Sequence, residues 1–213
     1  SVPSSLTMSF ISRLFGSKDV PPQQSSGRLA QRLEKLEAEA KNAAPGYVGT
    51  SYNHAGDVSL RSGDRERAVG YYGRAIDAFL EDGQREAARG VANKIIRVRP
   101  TAVRPLCTLT WLDLAAKHSA TALLHLRDYV LAAKDVDETA LAAKQIHAMA
   151  RVVPDSEFLG AVADALDGLD FSSKAEEVRE WARSGGSPGA VHIDEELGSA
   201  CLRGAVNSND RGK

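Results

Sequence analysis

Breaks in the helical pattern recur at short, even intervals between residues 47 and 183, and this spacing constrains the fold more than any other feature. Each run between two breaks holds about 16–20 residues, enough for one helix of three to four turns and a turn. No run alternates apolar and polar residues in the way that marks a strand. We therefore predict an all-α fold, with eight helices here near 47–61, 65–81, 85–98, 102–117, 120–133, 137–152, 156–168 and 171–183.

Residue types that start and stop helices agree with these boundaries. Gly63 and Gly83 suit the left-handed conformation in which many helices end. Pro100 and Pro154 stand where a helix has to stop. The predicted N-caps are Thr101, Asp137, Asp155 and Ser173, the last with Glu176 at the spacing of a capping box.

The two ends of the chain differ from this middle region, 46–183. Residues 1–26 are predicted to be a flexible segment with one short amphipathic stretch, whose apolar side chains are Phe10, Ile11, Leu14 and Phe15. Residues 27–45 are predicted to form an extra helix with an apolar stripe that docks on the main body, on a partner, or on a second copy. The glycine- and serine-rich tail, 184–213, is predicted to be disordered.

Composition excludes several classes of function. A net charge of −1 gives no reason to expect nucleic acid as a partner, and the basic cluster at 85–104 has no interleaved aromatic residues. The two cysteines, Cys107 and Cys201, are far apart, which favours a reducing cytoplasm over a disulfide framework. No apolar run approaches the ~18–20 residues that span a bilayer. A cytoplasmic location is the prediction.

No catalytic or metal-binding pattern is present in the sequence. There is no GxGxxG, GxxxxGK[ST] or GxSxG motif, and no pair among the five histidines has metal-ligand spacing. Carboxylates crowd two turns. Asp135, Asp137 and Glu138 lack the number and spacing of ligands and the glycine of a calcium loop, so helix capping is the better interpretation. Asp164, Asp167 and Asp170 are interpreted as a solvated edge. We therefore predict no enzyme activity, no cofactor and no metal.

One stretch, AGDVSLRSGDRERAVGYYGRAIDAF (55–79), places small residues inside two predicted helices. Glycine inside a helix costs about 1 kcal/mol relative to alanine, so its presence needs a compensating reason. The small and aromatic residues stand in the order of a tetratricopeptide repeat, which this stretch resembles: Ala55-Gly56, Gly63, Ala68, Tyr72 and Ala75. In that family the small residues sit where helices cross closely, and the aromatic ring fills the gap beside them.

The resemblance covers 49–82 closely and later segments more loosely. Gly90 and Ala92 are kept in the next pair, and Gly160, Ala163 and Ala175 in the last. It implies a right-handed α-solenoid of about four antiparallel helix hairpins, each burying its apolar face on its neighbours. The alternative is an irregular all-α bundle in which the one repeat occurs by chance.

The resemblance implies that the protein is a non-catalytic scaffold or adaptor. Such a protein holds a peptide or helix of another protein in a groove. In the family the first helix of each hairpin lines that groove. The corresponding positions here are Thr50, Asn53, Asp57, Leu60, Gln84, Ala87, Val91 and Lys94. Asp57 has the wrong charge for the family's carboxylate clamp, so an internal peptide is expected rather than a chain terminus.

Two alternatives involve the chain ends. The stretch holding Phe10, Ile11, Leu14 and Phe15 could attach the protein to a membrane surface, although so short a helix gives only marginal affinity. The acidic tail segment HIDEEL could instead occupy the groove, because residues 61–104 carry ten basic and six acidic side chains, a net charge of +4.

Overall fold

A computed structural model of the chain describes residues 22–44, 46–187 and 193. Within these residues all regular structure is helical, as predicted, and successive helices pack on one another along the chain. The nine helices of this part are α1 (Pro22–Asn42), α2 (Val48–Arg61), α3 (Arg65–Glu81), α4 (Arg85–Val98), α5 (Val103–Ala115), α6 (Ser119–Asp135), α7 (Thr139–Val152), α8 (Ser156–Gly168) and α9 (Ser172–Ser184).

The predicted helix boundaries are confirmed to within a few residues except at the start of α1. That helix begins at Pro22, so residues 22–26 are helical where a flexible segment was predicted. Proline is well tolerated at the first position of a helix, because its missing N–H would have no helical partner there. The amphipathic stretch at Phe10, Ile11, Leu14 and Phe15 lies outside the described residues.

Five of the links between helices are three-residue turns with the same geometry. Each has a left-handed residue in the middle, and the next residue donates its N–H to a carbonyl five residues back. Gly63 and Gly83 fill the middle position in two of these turns, as predicted. In the other three the position is held by Lys117, Asp137 and Asp170, with φ of 60–67°.

The N-caps were predicted less accurately than the helix boundaries, since Asp155 is the one confirmed among four. Asp155 accepts hydrogen bonds from the backbone N–H groups of Glu157 and Phe158, as a cap does. Asp137 was assigned wrongly, because it is the left-handed residue of its turn and Glu138 takes the N-cap position. Thr101 and Ser173 are also not N-caps; Ala102 and Phe171 are.

Proline-containing links divide the array into three groups. Three-residue turns join α2, α3 and α4 in succession, then α5, α6 and α7, and finally α8 and α9. The links at Pro100 and Pro154 separate these groups. Their last residues before the next helix, Ala102 and Asp155, are extended. The closest helix pairs are α2 with α3, α5 with α6, and α8 with α9.

Helix α5 is the most enclosed helix of the described array. None of its thirteen residues is exposed, and most are buried. The Trp111 side chain is fully buried and donates its indole N–H to the Gln145 side chain on α7, 3.2 Å away. The apolar surface of α5 therefore forms the centre of the main hydrophobic core.

Helix α1 docks on the start of the array through the predicted stripe. Leu33 and Leu36 pack with Val58 and Tyr71 in a second, smaller core. The Tyr71 hydroxyl donates to Glu37 over 2.6 Å. Docking on the main body, one of the three roles predicted for this stripe, is therefore confirmed, because both leucines are buried within the chain.

Gly56 faces the ring of Tyr72, and this contact explains why a helix accepts glycine there. A Cβ at Gly56 would lie 2.5 Å from two carbons of the Tyr72 ring. Gly49 meets Phe79 in the same way, with a hypothetical Cβ at 2.6 Å. The close crossing of α2 and α3 therefore depends on missing side chains on α2.

We expect Gly56→Ala to destabilise the protein by about 1–2 kcal/mol. The added methyl group overpacks the Tyr72 contact, which outweighs the gain in helix propensity. Gly160→Ala is the matched control, because nothing lies within 4 Å of its Cβ position. It should stabilise by about 0.5–1 kcal/mol. Urea unfolding measures both, and equal effects of the two substitutions would contradict the packing argument.

Candidate functional site

Three of the predicted groove residues meet in a polar cluster that joins α2 to α4. The Lys94 ammonium donates to Asn53 over 2.9 Å and to Asp57 over 2.7 Å. The Tyr72 hydroxyl donates to the same Asp57 oxygen over 2.7 Å, and the Lys94 nitrogen lies 5.3 Å from the centre of the Tyr72 ring. We call Asn53, Asp57, Tyr72 and Lys94 the Lys94 cluster.

The cluster holds Asp57 in its ionised form. Burial raises the pKa of Asp57, but hydrogen bonds from Lys94 and Tyr72, together with the Lys94 charge, outweigh that effect. The net pKa of Asp57 is therefore lowered. Burial and the bond to Asp57 raise the pKa of Tyr72 well above its ordinary value, so the phenol stays a donor.

The remaining predicted groove residues do not form one continuous surface. Thr50 is exposed, whereas Leu60 and Ala87 are half-buried against the main core. Val91 is buried inside that core. The Gln84 side chain donates to the Gly46 carbonyl over 3.1 Å and so ties the α3–α4 turn to the link between α1 and α2.

A concave surface lies elsewhere, where α3 and α7 flank the start of α5. This α3–α7 cleft has a volume of about 750 Å³ and is open to solvent. Its apolar lining includes Val69, Ile76, Ile95, Val103, Tyr129, Val136 and Leu141. No sequence pattern predicted this cleft. Its walls come from helices far apart in the chain, so no local pattern could have shown it.

Ionised side chains of both signs surround the cleft and largely pair with one another. Arg104 forms an ion pair with Asp77, and Arg99 forms one with Glu66. Burial raises the pKa of Asp77, although the charge and hydrogen bond of Arg104 oppose that change. The Arg104 Nε atom is buried without a hydrogen-bond partner. With Arg74 and Glu138, the lining holds three cations and three anions, a net charge of zero.

Two glycines on α3 leave one wall of this cleft bare. A Cβ at Gly70 would meet nothing within 4 Å, and at Gly73 only the Arg104 guanidinium at 3.8 Å. Unlike Gly56, these glycines are not required by packing inside the chain. They leave the α3 backbone open to the cleft.

A third polar group is buried between α4, α5 and α6. Asp113 is fully buried and forms an ion pair with Arg89. The Nδ1 atom of His125 donates to its other oxygen over 2.6 Å, and Arg89 also donates to the Leu112 carbonyl over 3.0 Å. Sequence reasoning missed this network, although Asp113 stands out as the one acidic residue in VRPLCTLTWLDLA.

The described residues contain no group of three or more histidine, cysteine and carboxylate side chains that could hold a metal ion. Within that part, no helix is both long and apolar enough to cross a membrane. No protein-family model, curated protein or solved structure matches the chain.

Replacing Asp113 should lower the free energy of unfolding, because the network with Arg89 and His125 is lost. Asp113→Leu leaves the largely buried Arg89 without its carboxylate and should destabilise by about 3 kcal/mol. The double variant Arg89→Met, Asp113→Leu should recover much of that loss, because no unpaired charge stays buried. Glu39→Ala, which breaks an exposed pair with Lys35, is the control and should change stability by less than about 0.5 kcal/mol. Urea unfolding of Asp113→Leu, Arg89→Met and the double variant measures the coupling. If the losses of the two single variants add up to the loss of the double variant, the pair is not coupled.

The lowered pKa of Asp57 predicts a specific pH dependence. The pKa of Asp57 in the folded state lies below its unfolded value of about 4. The stabilisation by ionised Asp57 is therefore present above about pH 4. It disappears as the pH falls through the folded-state pKa. The stability difference between wild type and Asp57→Asn should therefore shrink below about pH 4.

Asp77→Asn is the control of opposite sign for this experiment. The pKa of Asp77 is raised, so acidification should stabilise the wild type relative to Asp77→Asn. Urea midpoints between about pH 7 and pH 3 measure both differences. A constant difference for Asp57→Asn would contradict the assigned ionisation.

Proposed function

We propose that the protein is a non-catalytic interaction module, a scaffold or adaptor, and that the α3–α7 cleft binds a peptide segment or helix of another protein. The array is proposed to be a tetratricopeptide-like right-handed solenoid of about four antiparallel helix hairpins, among them α2–α3 and α8–α9. Helix α1 is the extra helix, and its burial on α2 and α3 supports that role.

The cleft is the observation that carries this proposal. Its volume of about 750 Å³ falls in the range of sites that enclose a ligand, and its lining combines apolar and charged side chains. The bare surface at Gly70 and Gly73 favours a ligand that packs closely on α3. Because the lining is neutral overall, apolar burial should provide most of the affinity.

The predicted groove on α2 and α4 is the weaker site for the same function. Lys94, its cation, already binds Asn53 and Asp57, so a ligand would have to replace two hydrogen bonds. Val91 is not accessible there. Membrane attachment through Phe10, Ile11, Leu14 and Phe15, and a cytoplasmic location, stay predictions.

Peptide selection on the full chain tests the proposal. A phage-displayed library of random 16-residue peptides is selected on the immobilised protein, and the enriched peptides are synthesised for fluorescence anisotropy. We expect enriched peptides with an apolar face. Gly70→Leu should weaken their binding at least about tenfold, because the new side chain fills the cleft.

Gly90→Leu is the matched control variant. Gly90 lies on α4, outside the cleft lining, and nothing lies within 4 Å of its Cβ position. It should change affinity less than about twofold. A loss with Gly90→Leu but not with Gly70→Leu would place binding on the α2–α4 surface, and no enrichment over a blank surface would overturn the proposed function.

A further inference from the structure

The exposed face of α6 carries apolar side chains that no other helix of the described array covers. Leu124 is 59% exposed and Leu131 is 55% exposed, which places them among the most exposed large apolar residues of the described chain. They are seven residues apart, two helical turns, so they lie on one face. Arg127 and Asp128 stand between them, with side chains 74% and 51% exposed. We call Leu124, Arg127, Asp128 and Leu131 the α6 stripe.

The α6 stripe is complementary to itself when the helix is reversed. In an antiparallel pair of α6 helices related by a two-fold axis between residues 127 and 128, Leu124 meets Leu131 of the other copy. Arg127 then meets Asp128 of the other copy, so opposite charges face each other twice. The flanking pairs, Ala120 with Asp135 and Thr121 with Lys134, place no like charges together.

We propose that α6 mediates a two-fold symmetric homodimer through this stripe. A second copy is the occupant that fits, because it supplies both the apolar and the charged partner of each residue. Within one chain the Arg127 and Asp128 side chains approach only to 3.7 Å and remain exposed, so both are available. An interface of one helix pair is small, and we expect dissociation constants of about 10–500 µM.

This inference is independent of the proposed peptide binding. Tyr129 of α6 and Val136, the residue after this helix, line the α3–α7 cleft. At about 100° per residue, the α6 stripe leucines lie about 140–160° around the helix from Tyr129. Dimerisation through the stripe therefore leaves the cleft accessible.

Sedimentation equilibrium of the full chain, from about 5 to 1,000 µM, tests the dimer. The mass should rise with concentration from 22.8 kDa towards twice that value. Arg127→Asp and Asp128→Arg should each weaken association at least about tenfold, because like charges then face each other at two symmetric positions. The double variant Arg127→Asp, Asp128→Arg should restore association to within about threefold of wild type.

Two further variants separate this contact from general stickiness. Leu124→Glu should abolish association, whereas Tyr47→Glu should not, although Tyr47 is exposed to a similar extent. Circular dichroism checks that each variant is folded. A monomer at every concentration, or a double charge variant as weak as the single ones, would overturn the proposal.

Discussion

The burial of α5 is the constraint on which the rest of the structure depends. Because no residue of α5 is exposed, helices from both earlier and later in the chain must enclose it. Asp113 near its end enters the core only because Arg89 on α4 neutralises its charge and His125 on α6 forms a hydrogen bond with it. These contacts fix α4 and α6 relative to α5.

The α3–α7 cleft follows from the same arrangement. Val103 and Arg104 at the start of α5 remain half-buried, since α3 and α7 flank that end without covering it. At the other end, Asp113 and its partners fill the space between helices. The same helix thus borders a closed core at one end and the open α3–α7 cleft at the other.

The sequence predicted those features whose causes are local. Helix boundaries follow from glycine, proline and apolar spacing within a few residues, and the Gly56–Tyr72 contact follows from a repeat pattern inside one hairpin. The sequence indicated turns near Lys117 and Asp170. It did not indicate that these two residues are left-handed, because neither is glycine. The cleft and the Arg89–Asp113–His125 network depend on helices brought together only by folding, so residue spacing could not indicate them.

The sequence alone does not show why a helix contains glycine. Gly56 and Gly70 lie in neighbouring helices, but their surroundings are opposite. At Gly56 a ring of the same chain occupies the space of the missing side chain, and at Gly70 that space is empty. Unlike the equally open positions Gly90 and Gly160, Gly70 lines the α3–α7 cleft, so its missing side chain leaves room there for the proposed ligand. If α6 pairs two chains, two such clefts belong to one particle, and a partner with two binding segments would gain affinity from their linkage without any new contact.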